Sequence, residues 1–467
     1  MQYSHSLPLP VQGSPTTSIL RAGPVGEGAG TCWTLSVVAA TPTVRPVVFV
    51  FNGGPGVSSM WLQLSGLAPW RAAVSTDLCA APDTSEPLEV IGSSLFDSAD
   101  LVFVDPPGTG LDPHPAPAHA LGAEPDAALF ADAIATWLAD NGREEADVFL
   151  LGESYGTIRA ALISAQLERR HPALRLRGIA LLGQCLNAQE VTQRPGNHAG
   201  YVAALPFVAA TAWYHGLGAH GGRPLEDVVS EAREFAVTEY ATALTSDRWP
   251  AAVRQDLAGF SGLAPETLAE QRHRIDKEWF RRNVLATSGE HVGLTDSRYR
   301  LSSEAAELDD AASSRLEPTF AAARTELHSF FFNVPRPTGF TEAYEAHEAW
   351  NYQEASAEHE FGGSPLPSPF ALFDYPRHLG AFLGADPDRR VFVGTGHFDA
   401  LTTVGGVDHL LAQYGLPTDR FDRHEYPAGH MMYSDPASSD TLIRDLKQFL
   451  SACSPATTHA TLEPSHV

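Results

Sequence analysis

Apolar residues in this chain gather in short unbroken runs that end in glycine-rich loops. Val47-Val-Phe-Val-Phe51 leads into Asn52-Gly-Gly-Pro-Gly56, Leu101-Val-Phe-Val104 into Asp105-Pro-Pro-Gly-Thr-Gly110, and Val148-Phe-Leu-Leu151 into Gly152-Glu-Ser-Tyr-Gly156. Further on, Val391-Phe-Val393 leads into Gly394-Thr-Gly-His-Phe-Asp399. Runs of this length without polar alternation predict strands buried on both faces, as in a parallel sheet. Thr31 to Ala39, Arg177 to Leu182 and Arg420 to Tyr426 read as further strands. A second, helical period covers Ala127 to Ala139, Asp440 to Leu450, and Thr157 to Arg170, where Ile158, Ala161, Leu162, Ala165 and Leu167 recur at roughly helical spacing. Strands alternating with helices predict an α/β protein: a mainly parallel central sheet flanked by helices, with its site at the C-terminal ends of the strands. The chain shows no internal repeat.

The pattern changes after about Asn187. Leu225 to Ala243, Ala251 to Leu257 and Glu304 to Ala322 read as charge-rich helices with no strand between them, and Pro335 to Pro369 as irregular, with Phe361 to Phe370 a loop. The expected organisation is residues 1–188 as the first part of the core, opening with an extended segment over 1–30. A mainly helical cap follows over 189–375, then the second part of the core over 376–452 and a flexible tail over 453–467. Inserted helices above the strand C-termini would roof the site.

Composition narrows the function classes. The 467 residues are 43% hydrophobic with 9% aromatic, which supports a sizeable core. A formal charge of −25 argues against nucleic acid as a partner. Four scattered cysteines (Cys32, Cys79, Cys185, Cys453) form neither a C-x-x-C pair nor a metal spacing, and read as free buried thiols in a reducing compartment. Met1 to Pro10 lacks the basic and apolar segments of a signal peptide, and no apolar stretch of about 20 residues is present to span a membrane. A cytoplasmic location without membrane partners is the expectation, and a homodimer is compatible with it.

Gly152-Glu-Ser-Tyr-Gly156 carries the chemistry. Between strand and helix, G-x-S-x-G is a nucleophile elbow, with the serine exposed on a strained turn. A serine hydroxyl needs a base oriented by a carboxylate, and in α/β-hydrolases these follow in the order Ser, Asp or Glu, His. Asp399 follows the strand Val391 to Val393, and His430 follows the strand ending at Tyr426. His424 would lie inside that strand, and His397 is only two residues from the acid. Acyl chemistry also needs oxyanion donors: the amide of Tyr155, and one from the Asn52-Gly-Gly-Pro-Gly56 loop. No phosphate or zinc motif competes. Gly26-Glu-Gly-Ala-Gly30 lacks the Lys-Ser/Thr of a P-loop, and His347-Glu348 lacks its second histidine, so neither metal nor cofactor is expected.

Asn52-Gly-Gly-Pro-Gly-Val-Ser-Ser59, Asp105-Pro-Pro-Gly-Thr-Gly110, Gly152-Glu-Ser-Tyr-Gly156, Gly396-His-Phe-Asp399 and Gly429-His-Met431 resemble, in order, the signature set of the serine carboxypeptidase family. Leu205 to His215 is similar to the family's segment leading into the cap. The resemblance implies an α/β-hydrolase fold and a triad of Ser154, Asp399 and His430. It also implies an oxyanion hole from the amides of Gly54 and Tyr155. Asn52, Gly53 and Glu153 would hold a peptide's C-terminal carboxylate, and Met431 would line the leaving-residue pocket. The substrate would be a peptide or small acyl compound; plant members run acyl transfer on the same triad. Val57 stands where the family often has a disulfide cysteine, and Gly66 where many members carry a second Glu.

Overall fold

The computed structural model describes residues 3–7, 18–26, 31–40, 45–112, 114–304, 310–332, 340–342, 349–354, 358–361, 364–367 and 373–453. Nine strands make the central sheet: β1 (Tyr3–Leu7), β2 (Ser18–Val25), β3 (Cys32–Ala39), β4 (Val47–Phe51), β5 (Asp100–Asp105), β6 (Asp147–Glu153), β7 (Arg175–Leu182), β8 (Arg390–Gly396) and β9 (Phe421–Tyr426). Their spatial order is β1-β2-β3-β5-β4-β6-β7-β8-β9. From β5 to β9 all neighbours run parallel, while β1, β2 and β3 add an antiparallel edge. The leading segment expected to be merely extended is, where described, the two edge strands β1 and β2. Gly23 and Pro24 both pair with β3.

Every residue of β4 is buried, and alternate ones serve opposite faces. Val48 and Val50 join Phe103, Phe149 and Leu151 in one cluster; Val47, Phe49 and Phe51 join Val148, Leu150 and Phe130 in the other. Helices α1 (Ala123–Asp140) and α2 (Tyr155–Arg170) contribute to the second cluster. Two burying faces explain why the central strands are continuous apolar runs.

Between β7 and the helix Pro376–Ala385 lies the inserted region. It contains α3 (His198–Tyr214), α4 (Leu225–Phe235), the helix Ala251–Ser261, α5 (Lys277–Asn283) and α6 (Ala311–Phe332). It has an apolar cluster of its own, in which Phe207, Tyr240, Leu257 and Phe280 pack with Ala400 of the core. The expectation of helices uninterrupted by strands is corrected here, because Glu290–Val292 pairs with Arg300–Ser302. The run expected as a loop also forms part of a ladder, with Glu358–Phe361 paired to Ser364–Pro367. Three- and four-residue ladders are too short to imprint a period on the sequence. The tail is expected to begin at 453, yet the last helix reaches Cys453. Residues 454–467 and His347-Glu348 lie outside the described residues. Among the described residues, no helix is long and apolar enough to cross a membrane.

Candidate active site

The elbow is built by close approach. A Cβ on Gly152 would sit 2.1 Å from the Gly156 carbonyl, so no larger residue lets β6 turn into α2 this tightly. Ser154 stands at the apex with φ 59°, a left-handed value that non-glycine residues adopt only when their surroundings impose it. The imposing contacts meet at its carbonyl oxygen, which accepts from Thr157 Oγ1 at 2.7 Å and Cys185 Sγ at 3.1 Å. Ser154 is half-buried, and its hydroxyl has no hydrogen-bond partner among the described residues.

The acid and base come from the loops after β8 and β9, and the structure brings them together. Asp399 is fully buried and His430 nearly so, with His430 Nδ1 2.7 Å from Asp399 Oδ2. Thr402 Oγ1 donates to the same carboxylate oxygen at 2.6 Å, and the amides of Leu401 and Thr402 donate to Oδ1 at 2.7 and 3.0 Å. Four donors hold Asp399 as an acceptor and fix the imidazole that faces it. The Asp399 carboxylate raises the His430 pKa, while burial works against the charged ring. The ring lies over the turn after β7, where a Cβ on Gly183 would come within 2.9 Å of it.

On the β4 side of the elbow lies a second buried carboxyl. Glu153 is 2% exposed, and its Oε2 accepts from Asn52 Nδ2 at 2.7 Å and from the Tyr433 hydroxyl at 2.8 Å. Burial pushes its pKa up to about 7, against the opposing pull of His430 and the two hydrogen bonds. Gly53 lies flat against the elbow: a Cβ there would meet the Tyr155 amide nitrogen at 2.6 Å. The amides of Gly54 and Tyr155 have no acceptor among the described residues. Met431 directly follows His430 and is buried in the main apolar cluster with Met60 and Tyr433. Gly66 has φ +90°, which strains any other residue, and a Cβ there would lie 3.2 Å from the Ile443 and Ser439 side chains.

Three contributions escaped the sequence reading. Tyr433 caps Glu153 from the loop that carries His430; its signal was an aromatic residue with a polar end three positions past the histidine. Arg159, fully buried on α2, pairs with Asp126 of α1 at 2.6 Å and donates to the Asn52 carbonyl at 2.5 Å. In a trans peptide the carbonyl and the following N–H point opposite ways, so this bond fixes the direction of the Gly53 N–H. An arginine in a helix pattern gives no hint of that role.

The third is a strut from the insertion. Leu294 O accepts from Ala400 N at 3.2 Å, Thr295 O from His430 N at 2.6 Å, and Phe398 O from Ser297 N at 2.9 Å. Arg298, paired with buried Asp296 at 2.7 Å, donates to Pro427 O at 2.7 Å. One inserted segment therefore ties together the loops of both Asp399 and His430. The four cysteines are free, and against the expectation of buried thiols Cys79 is exposed and Cys185 half-buried. Among the described residues, no cluster of three metal-ligating side chains occurs.

A parallel sheet with a serine elbow after β6 and an Asp–His pair after β8 and β9 defines an α/β-hydrolase, and the protein is a serine hydrolase. Residues 33–216 match the family model of serine carboxypeptidases, so this part of the chain carries that family's sequence. The chain resembles the solved structure of a prohormone-processing carboxypeptidase from Saccharomyces cerevisiae, at 14% identity and a TM-score of 0.54, over 93% of this chain and 91% of that one. It also resembles a proline iminopeptidase from Mycobacterium smegmatis, at 15% identity and a TM-score of 0.36, over 92% of this chain and 98% of that one. No curated protein matches the sequence.

Proposed function

We propose that the protein is a serine-type carboxypeptidase that releases C-terminal residues from peptides. Ser154 Oγ attacks the carbonyl of the last peptide bond while His430 takes its proton, oriented by Asp399. The amides of Gly54 and Tyr155 receive the developing oxyanion, and His430 returns the proton to the leaving amine. Water then releases the acyl group from Ser154. The terminal carboxylate sits against Asn52, the Gly53 amide and Glu153, and Met431 lines the place of the leaving residue.

The observation that carries this reading is Glu153. A serine hydrolase has no need of a buried carboxyl beside its nucleophile, held by Asn52 and Tyr433, with a pKa raised to about 7. A carboxyl that can be protonated at neutral pH is the natural partner of a substrate carboxylate, since the two can share one proton. The test is mass spectrometry of short blocked peptides, offered as free acids and as amides, with wild type and Ser154→Ala. Stepwise loss of terminal residues from the acids alone, absent in the variant, supports the carboxypeptidase. Equal cleavage of acids and amides refutes it. Products formed only with an added amine or alcohol move the assignment to acyl transfer.

A further inference from the structure

On the side of Ser154 opposite the Asn52–Glu153 grip lies a cavity of about 180 Å³. In the sheet, β6 and its elbow stand between β4, which presents Asn52 and Gly53, and β7, which runs into Gln184 and Cys185. Gln184, Cys185, Leu401, Thr402 and Lys277 line the cavity, and none of the grip residues does. Two of these lining residues reach the catalytic groups: Cys185 bonds the Ser154 carbonyl, and Thr402 bonds Asp399. If the leaving residue occupies the β4 side, the acyl portion of the substrate extends over the β7 side.

Three charged residues border this cavity, and two are already engaged. Asp276 caps α5 through the Trp279 amide at 2.8 Å, and Glu278 pairs with Arg281 and Arg282 at 2.6 and 2.7 Å. Lys277 makes no ion pair among the described residues; its Nζ donates only to the Leu401 carbonyl, at 2.8 Å. Asp399 is near enough to act on it electrostatically, yet both Asp399 oxygens are filled by the four donors described above. A partly buried ammonium with donors to spare, beside the Asp399 loop, can take an anion.

We propose that Lys277 binds a carboxylate on the acyl portion of the substrate, so that an acidic penultimate residue is preferred in this cavity. The inference rests on the carboxypeptidase reading for the side on which the acyl group lies. Of the carboxylates around Lys277, Glu278 is offset by Arg281 and Arg282 and Asp399 faces His430, which leaves Asp276, held by the Trp279 amide, as the opposing charge.

The test compares kcat/KM for N-blocked Glu-Leu, Gln-Leu and Ala-Leu in wild type, Lys277→Met and Lys277→Arg. A charge-assisted contact in a partly buried site predicts about a tenfold or greater preference for Glu over Gln in wild type. In Lys277→Met the Glu-to-Gln ratio falls to near one, and Lys277→Arg restores most of it. Equal rates for Glu-Leu and Gln-Leu in wild type, or a ratio that survives Lys277→Met, overturns the proposal. Calorimetric titration of N-acetylglutamate and N-acetylglutamine into Ser154→Ala, with and without Lys277→Met, needs no turnover. If no dipeptide is cleaved, the carboxypeptidase reading fails by itself. The titration still decides the lysine: tighter binding of the glutamate that Lys277→Met abolishes supports it, and equal binding refutes it.

Discussion

If Glu153 grips a substrate carboxylate by sharing a proton, the Michaelis constant for peptide acids should titrate with that group. Its carboxyl is 2% exposed and its pKa is raised to about 7, chiefly by burial. Binding then requires the protonated form, and apparent affinity scales with the fraction of enzyme in that form. That fraction is roughly nine-tenths at pH 6 and one-tenth at pH 8, so KM for a blocked dipeptide acid should rise about tenfold between them. The matching dipeptide amide, used as a competitive inhibitor, has no carboxylate to repel, and its inhibition constant should show no such rise. Glu153→Gln keeps a donor at the same place without a titration, so its KM for the acid should be nearly flat. Steady-state kinetics on acid and amide over this range, with both enzymes, is the assay. A flat wild-type KM for the acid, or an equal rise for the amide, would refute the shared-proton argument. The same group makes a stability prediction. Its folded pKa lies above the ordinary 4.5, so the native state binds the extra proton, and stability falls as pH rises from about 4.5 to about 7. Glu153→Gln should therefore gain in melting temperature over wild type across that window and hold the gain above it.

The remaining expectations concern the supports of the site. Ser154→Ala should lower kcat by at least about a thousandfold while leaving the circular dichroism spectrum intact, since its hydroxyl bonds nothing in the described structure. Arg159→Met strands buried Asp126 and frees the Asn52 carbonyl, and should cost about 3–5 kcal/mol in urea denaturation. Adding Asp126→Asn should recover part of that loss, because the orphaned charge goes with it. Gly429→Ala would place a Cβ 2.3 Å from the Thr295 carbonyl and push the strut off the His430 loop. Its kcat should fall tenfold or more with little change in KM, a split that shows the base is displaced rather than the grip.

The order of elements was legible in the sequence because burial on both faces leaves no polar residue in β4 or in the interiors of β5 and β6, and such runs admit few readings. The elbow was legible for a similar reason: glycines at 152 and 156 around a serine suit one tight strand-to-helix turn. Ser154, Asp399 and His430 were placed by position alone, each in the loop after a recognisable strand. What could not be read were interactions between residues far apart in the chain that no local period reports. The strut over Leu294 to Arg298 owes its place to three backbone hydrogen bonds, and backbone groups carry no sequence signature. Tyr433 became a partner of Glu153 only when the loop after β9 folded over the end of β6. Lys277 looks in sequence like one charge in a basic helix; the fold set its ammonium on the Leu401 carbonyl, two residues past Asp399, and paired its neighbour Glu278 with Arg281 and Arg282. The sequence by itself determined the parallel strands, the elbow and the candidates for the reacting groups, because hydrophobic runs and tight turns are local and strongly constrained. Only the tertiary structure decided how those groups are held and which charges are paired, because burial and pairing depend on what the rest of the chain brings alongside.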